Sequence, residues 1–582
     1  STMKKITKLA DQAKKQFQAD HSLEKRGAVY YEPDTEPRSI KDQDVPGGMK
    51  LEVMLEATRL ANFCYLEKSG CYWKSNKREK KDFAAIKPQH LSIGLMVAMG
   101  KFPDLSTGMN LKLISSEHDQ IFDEGRGHLH SGIIKEWRTD TDLVILQNPD
   151  EKIIAIAWRG TESGSDVRVD LNALSAEWPY TSGPKLHVST GFKTAHDSVI
   201  EPITKTLKAM WKSGCYERIL VCGHSLGGAL AHLHAHALSY ILEDELSKSP
   251  LPPEERLMCY TIGAPKAGNA EFLKDYTTRV GHSYRLVNDH DIVPRLPVPR
   301  RNHVGVPIIA NEEHFYINPS FETKRKFESE SEQSERISDH MPPNYLKVVL
   351  SHYVRQQMTE QADKLILDAW TAFVTCTDVT KVTALEVQKP RGDDPKYMSV
   401  KPVTVREPHQ DSMKRILVEA FGSERANQEV LDHLLLYARK CLEINIFRPW
   451  EKPFDEDVVD LSAFRIAVFD LIGNPDGSGK QRALEIARLR DIFDIIDADG
   501  DGLISAEEYA EAHKKIHPES AAEIEVKGAL KMLHEQYRMA YAEYGLEYSE
   551  VDAPTQISFE EFKMAPQVRS GDALNIIQKL KA

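Results

Sequence analysis

The chain has 582 residues, a net charge of −13 and a hydrophobic fraction of 41%. A chain this long exceeds what a single hydrophobic core supports, so we expect roughly two to four structural units. The longest apolar run, residues 91–100, is about half the length that a membrane-spanning helix needs, which argues against an integral membrane protein. Seven scattered cysteines and the absence of a signal-peptide pattern predict a cytoplasmic protein.

The negative charge is concentrated at the C-terminal end of the chain. Residues 455–582 contain 26 acidic and 14 basic residues, which leaves the first 454 residues nearly neutral. An acidic domain does not suit a nucleic-acid partner, but it suits the binding of a divalent cation. We therefore expect two unlike functional parts and no nucleic-acid binding.

The N-terminal extension, residues 1–48, begins with a basic amphipathic stretch at residues 3–18. Its apolar residues recur at helical spacing among lysines, as in helices that pack on a domain and in helices that lie on an anionic membrane. We favour a helix packed on the main domain or a frayed tail, and peripheral membrane contact stays open as the alternative. A Pro-Gly-Gly break then precedes a helix that we predict for residues 51–66.

The main domain is expected to span residues 49–360, and strands and helices alternate in it from about residue 140 onward. Residues 143–147 and Ile153–Trp158 flank a short turn and predict a β-hairpin. The alternation that follows predicts an α/β domain with a mostly parallel sheet and helices on both faces. Residues 361–454 are expected to form a helical segment and a linker, and residues 455–582 an all-α domain.

A strand–turn–helix pattern surrounds Ser225. An apolar strand at residues 218–222 precedes Gly223-His224-Ser225-Leu226-Gly227, and a helix is predicted for residues 226–240. Glycines on both sides of the serine allow the backbone to turn sharply, so that the hydroxyl stands exposed at the start of the helix. There the helix dipole and the free N–H groups stabilise a developing oxyanion. This context predicts a nucleophilic serine.

Ordered blocks around this serine resemble the class 3, or fungal-type, lipases. They are residues 155–161 (AIAWRGT), 166–171, 188–192 (VSTGF), 223–227, 260–269 (YTIGAPKAGN) and 284–297 (YRLVNDHDIVPRLP). The resemblance covers roughly residues 50–360, and it implies an α/β-hydrolase fold and a serine ester hydrolase that acts on lipids. Ser189 stands where the family has a histidine, and the nearest histidine is His187.

The resemblance also implies a catalytic triad in the order Ser225, Asp291 and His340. Asp291 precedes Ile-Val-Pro at the family's acid position, and Asp289 is kept as the alternative acid. His340 precedes a Tyr-Leu pair after a short spacer, as in plant-type members, and His303 is kept as the alternative base.

The same resemblance implies an oxyanion hole formed by the backbone N–H groups of Thr161 and Leu226, with the Thr161 hydroxyl beside them. In the family, the residues after this threonine often form a lid. Residues 162–169 are polar and charged here, so the sequence does not indicate an apolar lid that opens at a lipid interface.

Three histidines follow the serine on its predicted helix: His232, His234 and His236. The first and the last are four residues apart, a spacing that can bind zinc. No carboxylate or cysteine accompanies them in the sequence, so we expect packing or surface histidines rather than a metal site.

Residues 497–508 fit the calcium-binding loop of an EF-hand at every diagnostic position. Gly502 permits the sharp turn that the loop requires. The ligands that the motif assigns are, in loop order, Asp497, Asp499, Asp501, the carbonyl of Leu503 and Glu508. The sequence therefore predicts one Ca²⁺ site and makes residues 455–582 an EF-hand domain.

EF-hands normally occur in pairs. Residues 550–561 align as a partner loop with Ile557 at the central position, but Pro554 and Thr555 replace a ligand and the glycine. We therefore expect this loop to be structural and free of metal. Residues 474–485 also have ligand spacing, although a plain glycine-rich turn is favoured there.

These patterns predict a lipase that cleaves acylglycerol-type lipids through an acyl-enzyme, with calcium as a regulator or stabiliser. The expected partner is the lipid substrate. Two alternatives stay open because a fold does not fix a function. One is a catalytically silent calcium-sensing interaction protein on a lipase scaffold, and the other is an acyltransferase that uses another alcohol as acceptor.

Overall fold

The computed structural model describes residues 49–66, 109–160, 174–296, 301–320, 339–375, 403–443, 458–473 and 480–519, with short gaps inside several ranges, and a few later positions that include 556–558. These residues form two compact units. The first contains residues 49–66 and 109–349, and the second begins at residue 350. The amphipathic stretch predicted at residues 3–18 lies outside the described residues.

The first unit is built on an eleven-stranded sheet and a separate two-stranded ribbon. Its strands are, in chain order, β1 (Lys112–Leu113), β2 (Gln120–Phe122), β3 (Gly127–His130), β4 (Ile133–Glu136), β5 (Thr141–Asn148), β6 (Ile153–Trp158), β7 (Ser175–Trp178), β8 (Leu186–Ser189), β9 (Arg218–His224), β10 (Leu257–Ile262), β11 (His282–Asn288), β12 (Val306–Ala310) and β13 (Phe315–Ile317). The order across the sheet is β13-β12-β11-β10-β9-β6-β5-β4-β3-β2, and β1 pairs with β5. Strands β7 and β8 form the ribbon.

The central strands of the sheet, β6 and β9 to β12, run parallel, and antiparallel strands flank them on both sides. Strands β6, β9, β10 and β11 are buried on both faces, as parallel strands usually are. The predicted hairpin is present as β5 and β6, with Leu143 opposite Trp158. The prediction of an α/β unit is therefore confirmed, and the carboxyl end of β9 lies in the middle of the sheet.

Helices cover both faces of this sheet. They are α1 (Leu51–Phe63), α2 (Thr190–Asp197), α3 (Ile200–Lys212), α4 (Leu226–Ile241), α5 (Glu243–Ser247), α6 (Pro253–Arg256), α7 (Ala270–Arg279) and α8 (Pro342–Gln357), which contains the division between the two units. Val221 of β9 joins the apolar core that contains α4, whereas its neighbour Cys222 faces Cys64 just after α1. Because successive side chains of a strand point to opposite faces, α1 and α4 lie on opposite sides of the sheet.

The second unit is mainly helical over its described residues. Its elements are α9 (Glu360–Thr375), β14 (Val403–Thr404), α10 (Gln410–Phe421), α11 (Gln428–Glu443), β15 (Val458–Val459), α12 (Leu461–Val468), α13 (Lys480–Ile496), β16 (Leu503–Ser505), α14 (Ala506–Ile516) and β17 (Gln556–Ser558). One apolar core joins helices on both sides of the boundary that we predicted at residues 454/455. Within the described parts of the chain, no helix has the length and apolarity needed to cross a membrane.

A group of buried histidines lies in the core of the first unit. His232, His234 and His236 project from α4 and are fully buried, and His196 of α2 joins them with its Nε2 3.2 Å from Nδ1 of His234. Trp178 donates from Nε1 to Nδ1 of His236 at 3.0 Å. Burial lowers the pKa of these rings, that of His232 to about 3 and that of His236 to about 4. The histidines are therefore neutral packing residues.

We expect this core to make the first unit acid-labile. In the unfolded chain a histidine takes up a proton near pH 6.5, whereas His232 stays neutral in the folded state down to about pH 3. Between these pH values the unfolded chain binds more protons, so each such ring lowers the free energy of unfolding by up to about 1.4 kcal/mol per pH unit as the pH falls. Denaturant unfolding, followed by tryptophan fluorescence from neutral to mildly acidic pH, measures the loss. The His232→Gln variant should lose stability less steeply, and an unchanged slope would contradict the assignment.

Candidate active site

Ser225 lies in the turn between β9 and α4, which we call the serine turn (residues 223–227). Its backbone has a φ of 57° and a ψ of −128°, in a region that residues with a side chain rarely adopt. A Cβ atom on Gly223 would lie 2.4 Å from the carbonyl oxygen of Gly227, and one on Gly227 would lie 2.3 Å from that of Trp158. Glycine is therefore required at both positions, because the strand and the helix approach each other backbone to backbone.

Three side chains that the sequence singled out meet at the serine turn. His340 Nε2 lies 2.9 Å from Ser225 Oγ. The other ring nitrogen, Nδ1, lies 2.8 Å from Asp291 Oδ2 and 3.0 Å from Oδ1. Asp291 is fully buried, and 8% of His340 is exposed. A hydroxyl, an imidazole and a carboxylate in this order can activate the serine as a nucleophile.

The carboxylate of Asp291 is held by further donors. The backbone N–H of Val293 donates to Oδ1 at 2.8 Å, and the hydroxyl of Tyr345 donates to Oδ2 at 2.5 Å. Burial, together with the charge of Asp291, raises the pKa of Tyr345 well above its ordinary value. Tyr345 therefore stays protonated and remains a donor, which fixes the carboxylate that faces His340.

The two residues kept as alternatives have other partners. Asp289 Oδ1 lies 2.9 Å from Nδ1 of His290. His303 donates from Nε2 to the carbonyl of Pro294 at 2.7 Å. In the contacts that the structure describes, neither side chain joins the hydrogen-bonded chain at the serine turn. The geometry therefore favours the acid and the base that the resemblance implied.

The structure places one of the two expected oxyanion donors. Leu226 is the first residue of α4, so its backbone N–H belongs to the helix start, where no intrahelical carbonyl is available. Thr161 and residues 162–169 lie outside the described residues. The preceding Gly160 reaches the serine turn closely, since a Cβ atom there would lie 2.7 Å from the carbonyl oxygen of His224.

Beside these residues lies a polar cluster, of which only Asp289 was named from the sequence, as the alternative acid. Asp289, His290 and Asp339 each place one polar side-chain atom within 4.8 Å of the others. Burial and the neighbouring charge of Asp289 raise the pKa of Asp339 to about 8. The neutral form of Asp339, directly before His340 in the chain, is therefore favoured over a pH range in which an ordinary aspartate would be ionised.

Tyr65 and His224 form two hydrogen bonds next to Ser225 and His340. The hydroxyl of Tyr65, which follows α1, lies 2.6 Å from Nδ1 of His224. Nε2 of His224 lies 2.7 Å from the backbone carbonyl of His340. Sequence reasoning missed Tyr65 because no motif surrounds it, and it noted Tyr345 only as a marker for aligning His340.

In the second unit, the predicted calcium loop begins where α13 ends. Asp497, Asp499 and Glu508 bring carboxylate oxygens within 4.8 Å of one another. Asp501 lies outside the described residues, and Leu503 begins β16. The structure thus brings together three of the carboxylates that the motif assigned.

Glu508 is already held by hydrogen bonds at the start of α14. The backbone N–H groups of Ala498 and Asp499 donate to Oε1 at 2.8 and 3.3 Å, while Ser505 donates to Oε2 from its backbone and its hydroxyl. Partial burial acts to raise the pKa of Glu508, but these hydrogen bonds outweigh it, and the pKa lies below its ordinary value. The carboxylate is therefore oriented toward the loop.

The proposed partner loop contacts this one through a short ribbon. Strands β16 and β17 pair antiparallel with Ile504 opposite Ile557. These are the two residues that occupy the central position of each loop in our alignment. In the third candidate loop, residues 474–479 lie outside the described residues.

Comparison with known proteins supports the lipase resemblance over part of the chain. Residues 155–301 match the family model described as lipase (class 3). A lipase of Rhizomucor miehei is 34% identical over 214 residues, which are 36% of this chain and 55% of the relative. The secreted mono- and diacylglycerol lipase 1 of Fusarium solani is 34% identical over 166 residues, which are 28% and 46% of the two chains. A chloroplastic phospholipase A1 of Arabidopsis thaliana, Igamma1, is 29% identical over 25% of this chain and 31% of its own.

A solved structure, that of the Rhizomucor miehei triacylglyceride lipase, has a TM-score of 0.31 and 22% identity over 46% of this chain and 82% of that chain. The chain spans about half, or less, of the length of the curated relatives named above. The stretch that matches the family model contains Ser225 and Asp291 and ends before His340. Residues 155–301, with the serine turn and the candidate acid, thus match the class 3 lipases.

Proposed function

We propose that the protein is a serine ester hydrolase that cleaves acylglycerol-type lipids through an acyl-enzyme. The observation that supports this most is the continuous hydrogen-bonded chain from Ser225 through His340 to Asp291 at a strained turn. The substrate class is supported by the similar proteins, which are named lipase, mono- and diacylglycerol lipase and phospholipase A1. The geometry disfavours the catalytically silent alternative, because all three triad positions are filled and in contact.

In the first half-reaction, His340 Nε2 takes the hydroxyl proton while Ser225 Oγ attacks the ester carbonyl carbon. The imidazolium that forms donates from Nδ1 to Asp291, which stabilises its charge. The carbonyl oxygen becomes an oxyanion that the N–H of Leu226 and the start of α4 stabilise, and removing one such donor typically costs about 10²–10³ in rate. The imidazolium then protonates the leaving alcohol, the ester C–O bond breaks, and the acyl group stays on the serine.

In the second half-reaction, water attacks the acyl-enzyme while His340 takes its proton. The proton returns to Ser225 Oγ, and the carboxylic acid leaves. An alcohol in place of water would receive the acyl group by the same steps, which is the acyltransferase alternative. Product analysis with an added alcohol distinguishes the two, because a hydrolase releases mainly the free acid.

We expect Ser225→Ala to abolish turnover. Loss of the attacking hydroxyl should lower kcat by about 10³-fold or more. Hydrolysis of a short-chain fluorogenic ester and of diacylglycerol in mixed micelles measures it, at saturating calcium. The matched control is Ser182→Ala, which changes an exposed serine in the turn before β8 and should keep the wild-type rate. A wild type that is inert on every acyl length would instead favour the calcium-sensing scaffold.

We further propose that residues 497–508 bind Ca²⁺ and that the ion stabilises or regulates the protein. The donor set fits, because Ca²⁺ prefers carboxylate and carbonyl oxygens, and three carboxylates converge here. Carboxylates this close repel one another, and a divalent cation removes that repulsion. Pairing of Ile504 with Ile557 gives the loop the partner strand that EF-hands use. Unchanged hydrolysis between chelator and saturating calcium would leave only the stabilising role.

We expect Glu508→Gln to weaken calcium binding by at least about tenfold, because the loop loses its bidentate ligand. Isothermal titration calorimetry gives the affinity, and the calcium-dependent shift in melting temperature is compared rather than the melting temperature itself. This matters because Glu508 also caps α14 without an ion. The matched control is Glu511→Gln, an exposed position one turn further along α14, which should bind as the wild type does. Equal affinities in all three proteins would refute the site.

A further inference from the structure

His224, the residue directly before the nucleophile, is 2% exposed and contacts three groups of the site. Its Nε2 lies 2.7 Å from the backbone carbonyl oxygen of His340, and its Nδ1 lies 2.6 Å from the hydroxyl of Tyr65. Its ring also packs on the ring of His340, with the centroids 4.6 Å apart. Both nitrogens of this buried imidazole are therefore used.

These contacts permit only one arrangement of protons. A backbone carbonyl only accepts hydrogen bonds, so Nε2 of His224 must carry the hydrogen that it donates to His340. Burial and the neighbouring His340 lower the pKa of His224 well below its ordinary value, so the ring is neutral and its Nδ1 has a lone pair. Tyr65 must then be the donor to Nδ1. The hydroxyl of Tyr65 fixes the tautomer of His224.

This arrangement connects the backbone of His340 to that of Ser225 through one side chain, that of His224. His340 lies in a turn before α8, and its carbonyl is held by the side chain of the residue next to Ser225. Glycine at position 160 leaves space for the Tyr65 hydroxyl beside His224. A Cβ atom on that residue would lie 2.2 Å from the hydroxyl oxygen and would overlap it. A shift of about 1 Å between reacting groups can lower the rate by about 10²-fold. We therefore expect the hydrogen bond from His224 to the carbonyl of His340 to affect kcat.

We propose that Tyr65 and His224 are positioning residues that hold the backbone of His340 at the distance from Ser225 that proton transfer requires. The inference rests on the proposed hydrolase function, and it goes beyond the triad and the oxyanion hole. It also gives a reason for the burial of His224. When His340 becomes an imidazolium, a second charged ring at a centroid distance of 4.6 Å would oppose it, and a neutral ring does not.

The ordinary alternative is that His224 only fills space in the core. Two replacements separate these roles. In His224→Gln the side-chain amide reaches about as far as Nε2 and can still donate to the carbonyl of His340. In His224→Leu the space is filled, but the donor is lost. A filling role predicts that Leu is tolerated at least as well as Gln, whereas a positioning role predicts the reverse.

The test compares the full-length wild type with Tyr65→Phe, His224→Gln, His224→Leu and the double variant Tyr65→Phe/His224→Leu. Tyr240→Phe is the matched control, because it removes a hydroxyl that donates to Asp275 at the C-terminal end of α4, whereas Ser225 precedes the N-terminal end of that helix. The substrate is a water-soluble short-chain ester, so that lipid-surface effects do not enter. A fluorophosphonate that labels Ser225 counts the folded, reactive sites, and kcat is expressed per labelled site.

We expect Tyr65→Phe to lower kcat about tenfold and His224→Leu about 10- to 100-fold, with KM changed less than about twofold. His224→Gln should keep kcat within about fivefold of the wild type, and Tyr240→Phe should equal it. The double variant should be no slower than His224→Leu, because removing the hydroxyl has no further effect once the ring is gone. In nitrogen-15 spectra of the wild type, His224 should show a protonated Nε2 and an unprotonated Nδ1.

Three results would overturn the inference. One is wild-type kcat in Tyr65→Phe and His224→Leu while Ser225→Ala is inert, which would leave the hydrolase function intact. Another is a kcat in His224→Gln as low as in His224→Leu, since the donor would then not matter. The third is the opposite tautomer of His224 in the nitrogen-15 spectra, which is independent of activity and can be read even if a variant does not fold. A wild type that hydrolyses no ester would instead remove the proposed function itself.

Discussion

Backbone-to-backbone contact between β6, β9 and α4 is the constraint on which the candidate site depends. At Gly223 and Gly227, any side chain would overlap a carbonyl oxygen of the neighbouring segment. The strand and the helix can come this close only if Ser225 takes a positive φ, which is a strained conformation. The surrounding parallel strands, buried on both faces, hold that conformation in place. This conformation places the hydroxyl of Ser225 next to the imidazole of His340 and at the N-terminal end of α4.

Burial in the first unit keeps several histidine rings neutral, so that they act through hydrogen bonds and packing. The histidines of α4 and His224 lie in the core, where the cost of desolvation keeps them neutral. Neutral imidazoles can donate from one nitrogen and accept with the other, and the core uses this to connect tryptophan, tyrosine and backbone groups. His340 is placed differently, because its Nδ1 lies 2.8 Å from the buried carboxylate of Asp291 and its Nε2 lies 2.9 Å from the hydroxyl of Ser225.

Several features could be predicted from the sequence because short stretches of chain determine them. The hairpin of β5 and β6, the turn around Ser225 and the pairing of Ile504 with Ile557 each follow from local spacing or loop position. The short antiparallel strands before β5 carry no clear alternation and were not predicted. Tyr65 could not be predicted either, because its contact with His224 arises only when α1 packs on the sheet.

The raised pKa of Asp339 affects how the kinetics of this protein would be interpreted. Bell-shaped pH–rate profiles are usually assigned to the groups that exchange protons with substrate. Here a carboxyl group, that of Asp339, has a pKa raised to about 8 by burial and by the charge of Asp289, and it directly precedes the candidate base His340. Above that pH its ionisation places another negative charge beside Asp289 and Asp291. Ionisation of Asp339 would then contribute to an alkaline limb in this range, and its shape would resemble that of a catalytic acid.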